Sequence, residues 1–173
     1  LRTRQHPTVA SLPHGLKIES FDDMYENGDS FEAVYSAIVE KVMDLGKSPQ
    51  GVVYAVPGDP FIAEATCPEI AKRARALGLP LKIVSGLSFL EPVFAALGLD
   101  PYPRLTLIDG IELSQAHIPI FPPDMPVLVA QIYSRLVAAE IKVTLNTVYH
   151  DDHPVRLVHA AGTKDEIIED LQL

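Results

Sequence analysis

Cysteine is nearly absent from this chain: Cys67 stands alone among 173 residues, so no internal disulfide is available and a reducing, cytoplasmic setting is expected. Long apolar runs are missing as well. None approaches the roughly 18 residues of a membrane helix, and nothing at the start reads as a signal peptide, so no membrane association is expected. Positive charge is scarce, with 14 basic against 23 acidic residues and a net charge of −9. That balance argues against a nucleic-acid backbone as the main partner, while leaving room for a local basic pocket. Several catalytic signatures are absent too. There is no Gly-x-x-x-x-Gly-Lys-Ser/Thr phosphate loop, no Gly-x-Gly-x-x-Gly and no Gly-x-Ser-x-Gly.

What remains is an ordinary globular mixture, 47% hydrophobic and 21% charged. The length suits one domain or two small ones. Alternation over Leu16–Phe21 predicts a strand. Ser30 is a candidate N-cap for a helix to about Leu45, with Phe31, Val34, Ile38, Val42 and Leu45 on one face and Gly46 as its stop. The continuous apolar run Val52–Val56 predicts a buried parallel strand. A helix to about Leu77 follows, then a strand over Leu81–Val84 and a helix over Ser88–Leu97 ended by Gly98. This alternation signals an α/β fold with a mainly parallel sheet. Beyond it, Leu105–Ile108, Val127–Tyr133 and Arg156–Ala160 predict strands, with a loop around Pro119–Pro126 and a short helix over Ser134–Glu140. Thr163 is a candidate cap for a last helix over Asp165–Leu171.

Two strand-end loops carry candidate chemistry. Pro57-Gly58-Asp59-Pro60-Phe61 follows a predicted strand, where open α/β sheets bind ligands, and Asp59 suits a hydroxyl or ammonium partner. The plain alternative is a tight turn with Asp59 as a cap. Ser85-Gly86-Leu87-Ser88 repeats the arrangement at the next strand end, where Ser88 with Glu91 also reads as a capping box. His150-Asp151-Asp152-His153 is spaced too closely to chelate a metal from one regular element, and reads better as a solvated turn. Asp22, Asp23, Glu26, Asp29 and Glu32 lack the calcium-loop spacing and read as the acidic start of a helix. Cys67 has no His and Asp partners in register for a nucleophile role.

In order along the chain, Val52–Thr66 (VVYAVPGDPFIAEAT), Ile83–Pro101 (IVSGLSFLEPVFAALGLDP), Val127–Tyr133 (VLVAQIY) and Val155–Glu166 (VRLVHAAGTKDE) resemble the tetrapyrrole (corrin/porphyrin) methylase family. The opening LRTRQHPTV, Phe21–Tyr35 (FDDMYENGDSFEAVY) and Val148–Val155 (VYHDDHPV) resemble its YabN-like branch, often fused to a MazG nucleotide pyrophosphohydrolase. The resemblance covers essentially the whole chain. It implies two α/β lobes, over residues 1–104 and 105–173, with a mainly parallel sheet in the first and a mixed sheet in the second. It further implies an S-adenosylmethionine-dependent methyltransferase, with S-adenosylhomocysteine as product and a tetrapyrrole or other small molecule as acceptor. The cofactor is then expected between the lobes. Gly58, Asp59, Pro60, Phe61 and Ile62 would hold its amino acid part, and Ser85, Gly86 and Ser88 would line the next strand end. Ile132 and Tyr133 would sit against adenine or ribose, with Ala161, Gly162 and Thr163 closing the adenine side.

Methyl transfer of this type needs donor and acceptor held in line more than it needs a catalytic dyad. No catalytic residue and no metal site is assigned, although Asp22, Asp23 and Tyr25 are candidates to position an acceptor. Arg2, Arg4 and Arg104 are candidates for a basic mouth toward a carboxylated one. The family normally opens with a strand and a Gly-x-Gly-Pro-Gly-Asp loop and continues further at its end, so the chain is expected to be trimmed at both ends. A homodimer is also implied. A silent cofactor-binding or assembly module serving a MazG-type partner is a second reading, and a nucleotide-binding domain without methyl transfer a third.

Overall fold

The computed structural model describes all residues, Leu1–Leu173, and divides into two compact units, Leu1–Ser88 and Phe89–Leu173. The lobe boundary expected at 104/105 lies inside the second unit. Helices and strands mix in an α/β fold, with one parallel and one antiparallel strand pair.

The first unit is built on helices. A 3₁₀ turn at Pro7–Ser11 and the short helix α1 (Asp22–Asn27) precede α2 (Phe31–Gly46) and α3 (Thr66–Ala76). Ser30 caps α2 as predicted, its hydroxyl accepting from Ala33 N at 3.2 Å. Apolar side chains at three- and four-residue steps bury Val34, Ile38 and Val42 against Phe21, Met24, Tyr54 and Ile70. A neighbouring stripe of Val39 and Met43 meets Ala74 and Leu79. Phe31, expected on the buried face, is instead 67% exposed and stacks on Tyr35 with ring centroids 6.1 Å apart. It is the first residue of the helix. Gly46, expected as the stop, is the last helical residue, and the helix closes with Lys47 N–H donating to Asp44 O and Ser48 N–H to Leu45 O.

The strands expected in this unit are not paired into a sheet. A strand is completed by its neighbour, and hydrophobic pattern alone supplies no neighbour. Leu1 makes the start of a parallel ladder, donating to Glu19 O at 2.7 Å and accepting from Phe21 N at 3.2 Å. Arg2 N donates to Ala55 O at 2.9 Å. Val52–Val56 therefore carries one such cross-chain bond and is not buried: Val53 is 90% exposed. Leu81–Val84 is exposed as well, without strand pairing.

The second unit has true ladders. β1 (Thr106–Asp109) runs parallel to β2 (Val127–Ala130), with Thr106 opposite Val127 and Asp109 opposite Ala130. Helix α4 (Leu90–Leu97) precedes them, with Phe89 at its N-cap and Gly98 (φ +60°) as its left-handed stop. Between β1 and β2 runs α5 (Gly110–Gln115), capped by Asp109, followed by the proline-rich loop. After β2 comes α6 (Arg135–Leu145), capped by Ser134. Ile108, Leu113, Phe121, Val137, Ile141 and Leu145 form one buried cluster beneath this βαβα arrangement. The segment predicted as a last helix is instead a strand. β4 (Ile167–Gln172) pairs antiparallel with β3 (Pro154–His159), Pro154 opposite Gln172 and His159 opposite Ile167. Ile167, Ile168 and Leu171 fit helical spacing equally well, and only the ladder offered by β3 decides between the two.

Candidate functional site

In the first unit the two strand-end loops meet. Gly58 takes φ +78°, a conformation open to glycine at no steric cost. Asp59 holds the loop's shape: one carboxylate oxygen accepts from Phe61 N at 2.8 Å, the other from Gly86 N at 3.1 Å. The approach is so close that a Cβ on Gly86 would stand 2.4 Å from the Gly58 carbonyl oxygen. Gly58 and Gly86 thus let two backbones touch, and Asp59 ties them together. Asp59 is both the turn-former of the plain reading and the bridge between loops 27 residues apart. Pro60 and Ile62 are half-buried, Phe61 is 43% exposed, and Ser85 and Gly86 face solvent. Ser88 ends this unit, and α4 begins at Leu90 in the next.

The remaining predicted residues lie in the second unit. After β2, Gln131 takes φ +67° and turns the chain into Ile132 and Tyr133, which are 44% and 69% exposed. Ile132 lies over Gly110, where a Cβ would come within 3.4 Å of its side chain. Ala161, Gly162 and Thr163 form the turn between β3 and β4. The Thr163 hydroxyl donates to Ala160 O at 2.8 Å and accepts from Asp165 N at 3.1 Å, while Gly162 N donates to the Glu166 carboxylate at 2.7 Å. Gly162 sits against α4, since a Cβ there would be 3.1 Å from Pro92. Thr163 therefore organises a hairpin turn instead of capping a helix.

A polar network that sequence reasoning missed lies in the first unit, next to the Gly58 loop. Glu64 is buried, its side chain only 2% exposed, and it accepts from Arg2 Nη1 at 2.7 Å, Thr66 Oγ1 at 2.9 Å and Cys67 N at 2.5 Å. Because the Thr66 hydroxyl spends its proton on Glu64, the Tyr54 hydroxyl 3.0 Å away donates to Thr66. Arg2 also donates through Nε to the Tyr25 hydroxyl at 2.9 Å, and its guanidinium lies 5.5 Å from the Tyr35 ring centre. Burial, reinforced by Glu64, pushes the Cys67 thiol up to about 12, so it stays protonated and unreactive. Burial likewise raises the Tyr54 phenol. The one signal in the sequence was Glu64 standing three residues before Cys67 at the start of a helix, a spacing that suits a carboxylate accepting from the first turn.

Beside this network is an open pocket of about 260 Å³ lined by Arg2, Thr3, Gln5, Asp22, Tyr25, Glu26 and Pro57. Hydrogen bonds from the Thr3 side chain, Arg4 N and the Ser20 side chain hold the Asp22 carboxyl below its ordinary range, so it is ionised. Asp22 and Tyr25 are thereby brought together on one wall; Asp23 is not part of it. Of the three arginines expected at a basic mouth, the two in the first unit are engaged. Arg2 is engaged with Glu64 and Tyr25, and Arg4 donates to Ile18 O at 2.6 Å, while Arg104 is exposed. In the second unit, His150–His153 is a turn before β3, with His153 N donating to His150 O at 3.0 Å and Asp151 accepting from Asn146 at 2.8 Å.

Comparison with known proteins gives two findings. The family model described as Tetrapyrrole (Corrin/Porphyrin) Methylases matches residues 2–173. The chain is also 35% identical over 174 residues to "Uncharacterized protein YabN" of Bacillus subtilis (strain 168). That alignment takes in 100% of this chain and 35% of the relative, so the chain spans about a third of the relative's length.

Proposed function

Because the chain belongs to the tetrapyrrole (corrin/porphyrin) methylase family, we propose that it is an S-adenosylmethionine-dependent methyltransferase domain acting on a tetrapyrrole or other small acceptor. The observation that carries this reading is the junction of Gly58, Asp59 and Gly86. It presents exposed main chain at the end of two loops, with one carboxylate fixed between them.

The residues suit the cofactor. Asp59 accepts two main-chain N–H groups, and an ionised carboxylate has about four acceptor positions, leaving capacity for an ammonium group. The exposed Phe61 offers apolar surface beside it. When bound, the cofactor supplies an electrophilic methyl group on a sulfonium. The chain's own contribution is to hold and orient. Asp59 fixes the loop, and the pocket with Asp22 and Tyr25 on its wall receives the acceptor. Asp22 and Glu26 in that pocket, with Arg2 already paired, favour an acceptor carrying few carboxylates there.

Isothermal titration of the full-length protein with S-adenosylmethionine and S-adenosylhomocysteine tests the reading. Saturable binding is expected, weakened at least about 10-fold by Gly86→Ala, whose methyl group would force the two loops apart. No binding of either compound by the full-length protein would sink it.

A second reading is favoured by the two thirds of the relative's length that lies outside the matched region. The domain would then bind cofactor without turnover and regulate an attached MazG-type nucleotide pyrophosphohydrolase. Removing the methylase domain from the full-length protein should then alter the hydrolysis rate or oligomeric state of the remainder. Unchanged values would dismiss it.

A further inference from the structure

Both ends of the Gly58 loop converge on one residue. Arg2 N donates to Ala55 O at 2.9 Å just before the loop, and Arg2 Nη1 donates to Glu64 at 2.7 Å just after it. The eight residues 56–63 are therefore closed like a link by a single arginine. Its far anchor is fixed in turn: Glu64 is held by Thr66 and by Cys67 N at the start of α3, and Tyr54 donates to Thr66 from the near side of the loop. Immediately before Glu64, Ala63 takes φ +51°, a left-handed conformation that a non-glycine residue keeps only where its surroundings impose it. A carboxylate with a 2% exposed side chain and three donors is such a surrounding.

We propose that Arg2 and Glu64 are positioning residues for the proposed cofactor loop, a clasp that holds residues 56–63 in the shape where Asp59 reaches Gly86. The loop's function rests on the methyltransferase reading above; the clasp itself does not. Glu64, buried behind the loop, need not touch cofactor or acceptor, whereas Arg2 also lines the pocket proposed for the acceptor. Without the clasp, Ala63 relaxes out of its left-handed conformation and the loop samples conformations in which the Asp59–Gly86 bond is open, so binding must first select the closed one.

Two substitutions in the full-length protein separate this from plain stabilisation. Glu64→Gln keeps the shape and removes the charge, and Arg2→Lys keeps the charge and removes the planar fork that reaches Glu64 and Tyr25 together. Lys17→Gln, at the exposed Lys17–Glu19 pair, is the control. Hydrogen exchange is read at the amides of residues 58–63 and of α2. With either substitution the loop amides should exchange about 10-fold faster while those of α2 hold, the signature of local opening. For Glu64→Gln, which lies outside the acceptor pocket, KM for S-adenosylmethionine should rise by a similar factor with kcat changed less than about 2-fold, and Lys17→Gln should do neither. Loop exchange left unchanged by both substitutions overturns the clasp. Faster loop exchange with unchanged KM overturns the positioning role. Faster loop exchange in a protein that binds no cofactor even as wild type upholds the clasp and overturns the methyltransferase reading, so the two failures are told apart.

Discussion

The two units of this chain are stabilised by different means. The second is built as an α/β unit should be: a parallel ladder from Thr106 to Asp109 against Val127 to Ala130, one helix between the strands, and a single buried cluster centred on Leu113. The first has no such ladder. Its apolar core is the α2–α3 contact around Ile38 and Ala74, and the connection from there to its loops runs through polar groups: Arg2, Glu64, Thr66, Tyr54 and Tyr25. Apolar packing tolerates small displacements gradually. A buried carboxylate shared by three donors has one good arrangement and loses heavily in any other. The difference teaches where sensitivity to substitution should sit: on hydrophobic volume in the second unit, and on charge and hydrogen bonding in the first.

The sharpest way to break that comparison is to truncate the centre of each. Glu64→Ala leaves Arg2 Nη1, the Thr66 hydroxyl and Cys67 N without their acceptor, and removal of one partner from a buried ion pair costs about 3–5 kcal/mol. Leu113→Ala removes a fully buried leucine and should cost about 3 kcal/mol, within the usual spread for such cavities. Urea unfolding of both variants gives the two values. If Glu64→Ala costs less than about 1 kcal/mol while Leu113→Ala costs its full amount, the polar network is dispensable and the comparison fails.

A second consequence appears at alkaline pH. The Cys67 thiol is raised from its ordinary 9.0 to about 12, first by burial and then by Glu64, and burial raises Tyr54 in the same direction. A folded-state value above the unfolded one means that the folded chain holds the proton more tightly. Stability is then complete below about pH 9 and declines as the pH rises from there toward 12, as the unfolded thiol ionises and the folded one does not. Urea midpoints at pH 7, 9 and 10.5 should fall along that series, and Cys67→Ala should flatten the decline. A decline of the same steepness in Cys67→Ala would assign it elsewhere. At pH 8 iodoacetamide should leave folded Cys67 unmodified.

Features fixed by local chemistry were legible in the sequence, and features fixed by a distant partner were not. Ser30 before a three- and four-residue apolar rhythm and Gly98 after α4 each carry their own reason for a helix to start or stop there. Residues 167–172 carry no such reason, because β3 makes them a strand. Val52–Val56 has a strand's composition and lacks the strand's neighbour. The site divides the same way. Gly58, Asp59 and Gly86 could be singled out as strand-end glycines and an acid, but that Asp59 spans the two loops is a contact across 27 residues. Glu64 is not legible as an anchor, since a glutamate ahead of a helix ordinarily faces water and only the arrival of Arg2, 62 residues away, makes it a buried one.

The smallest effect tests whether the two units differ only where argued. Each contains a helix opened by the same device, Ser30 accepting from Ala33 N at 3.2 Å in the first and Ser134 accepting from Val137 N at 3.1 Å in the second. The hydroxyl replaces water at a main-chain donor that the helix cannot satisfy itself, a local exchange indifferent to whether the surrounding core is apolar or polar. Ser30→Ala and Ser134→Ala should therefore cost about 1 kcal/mol each by urea unfolding, and the glycine variants only a few tenths. A loss at Ser30 more than about twice that at Ser134 would mean that the start of α2 feels the Arg2–Tyr35 contact one turn on, and that the polar network reaches further into the first unit than its hydrogen bonds show.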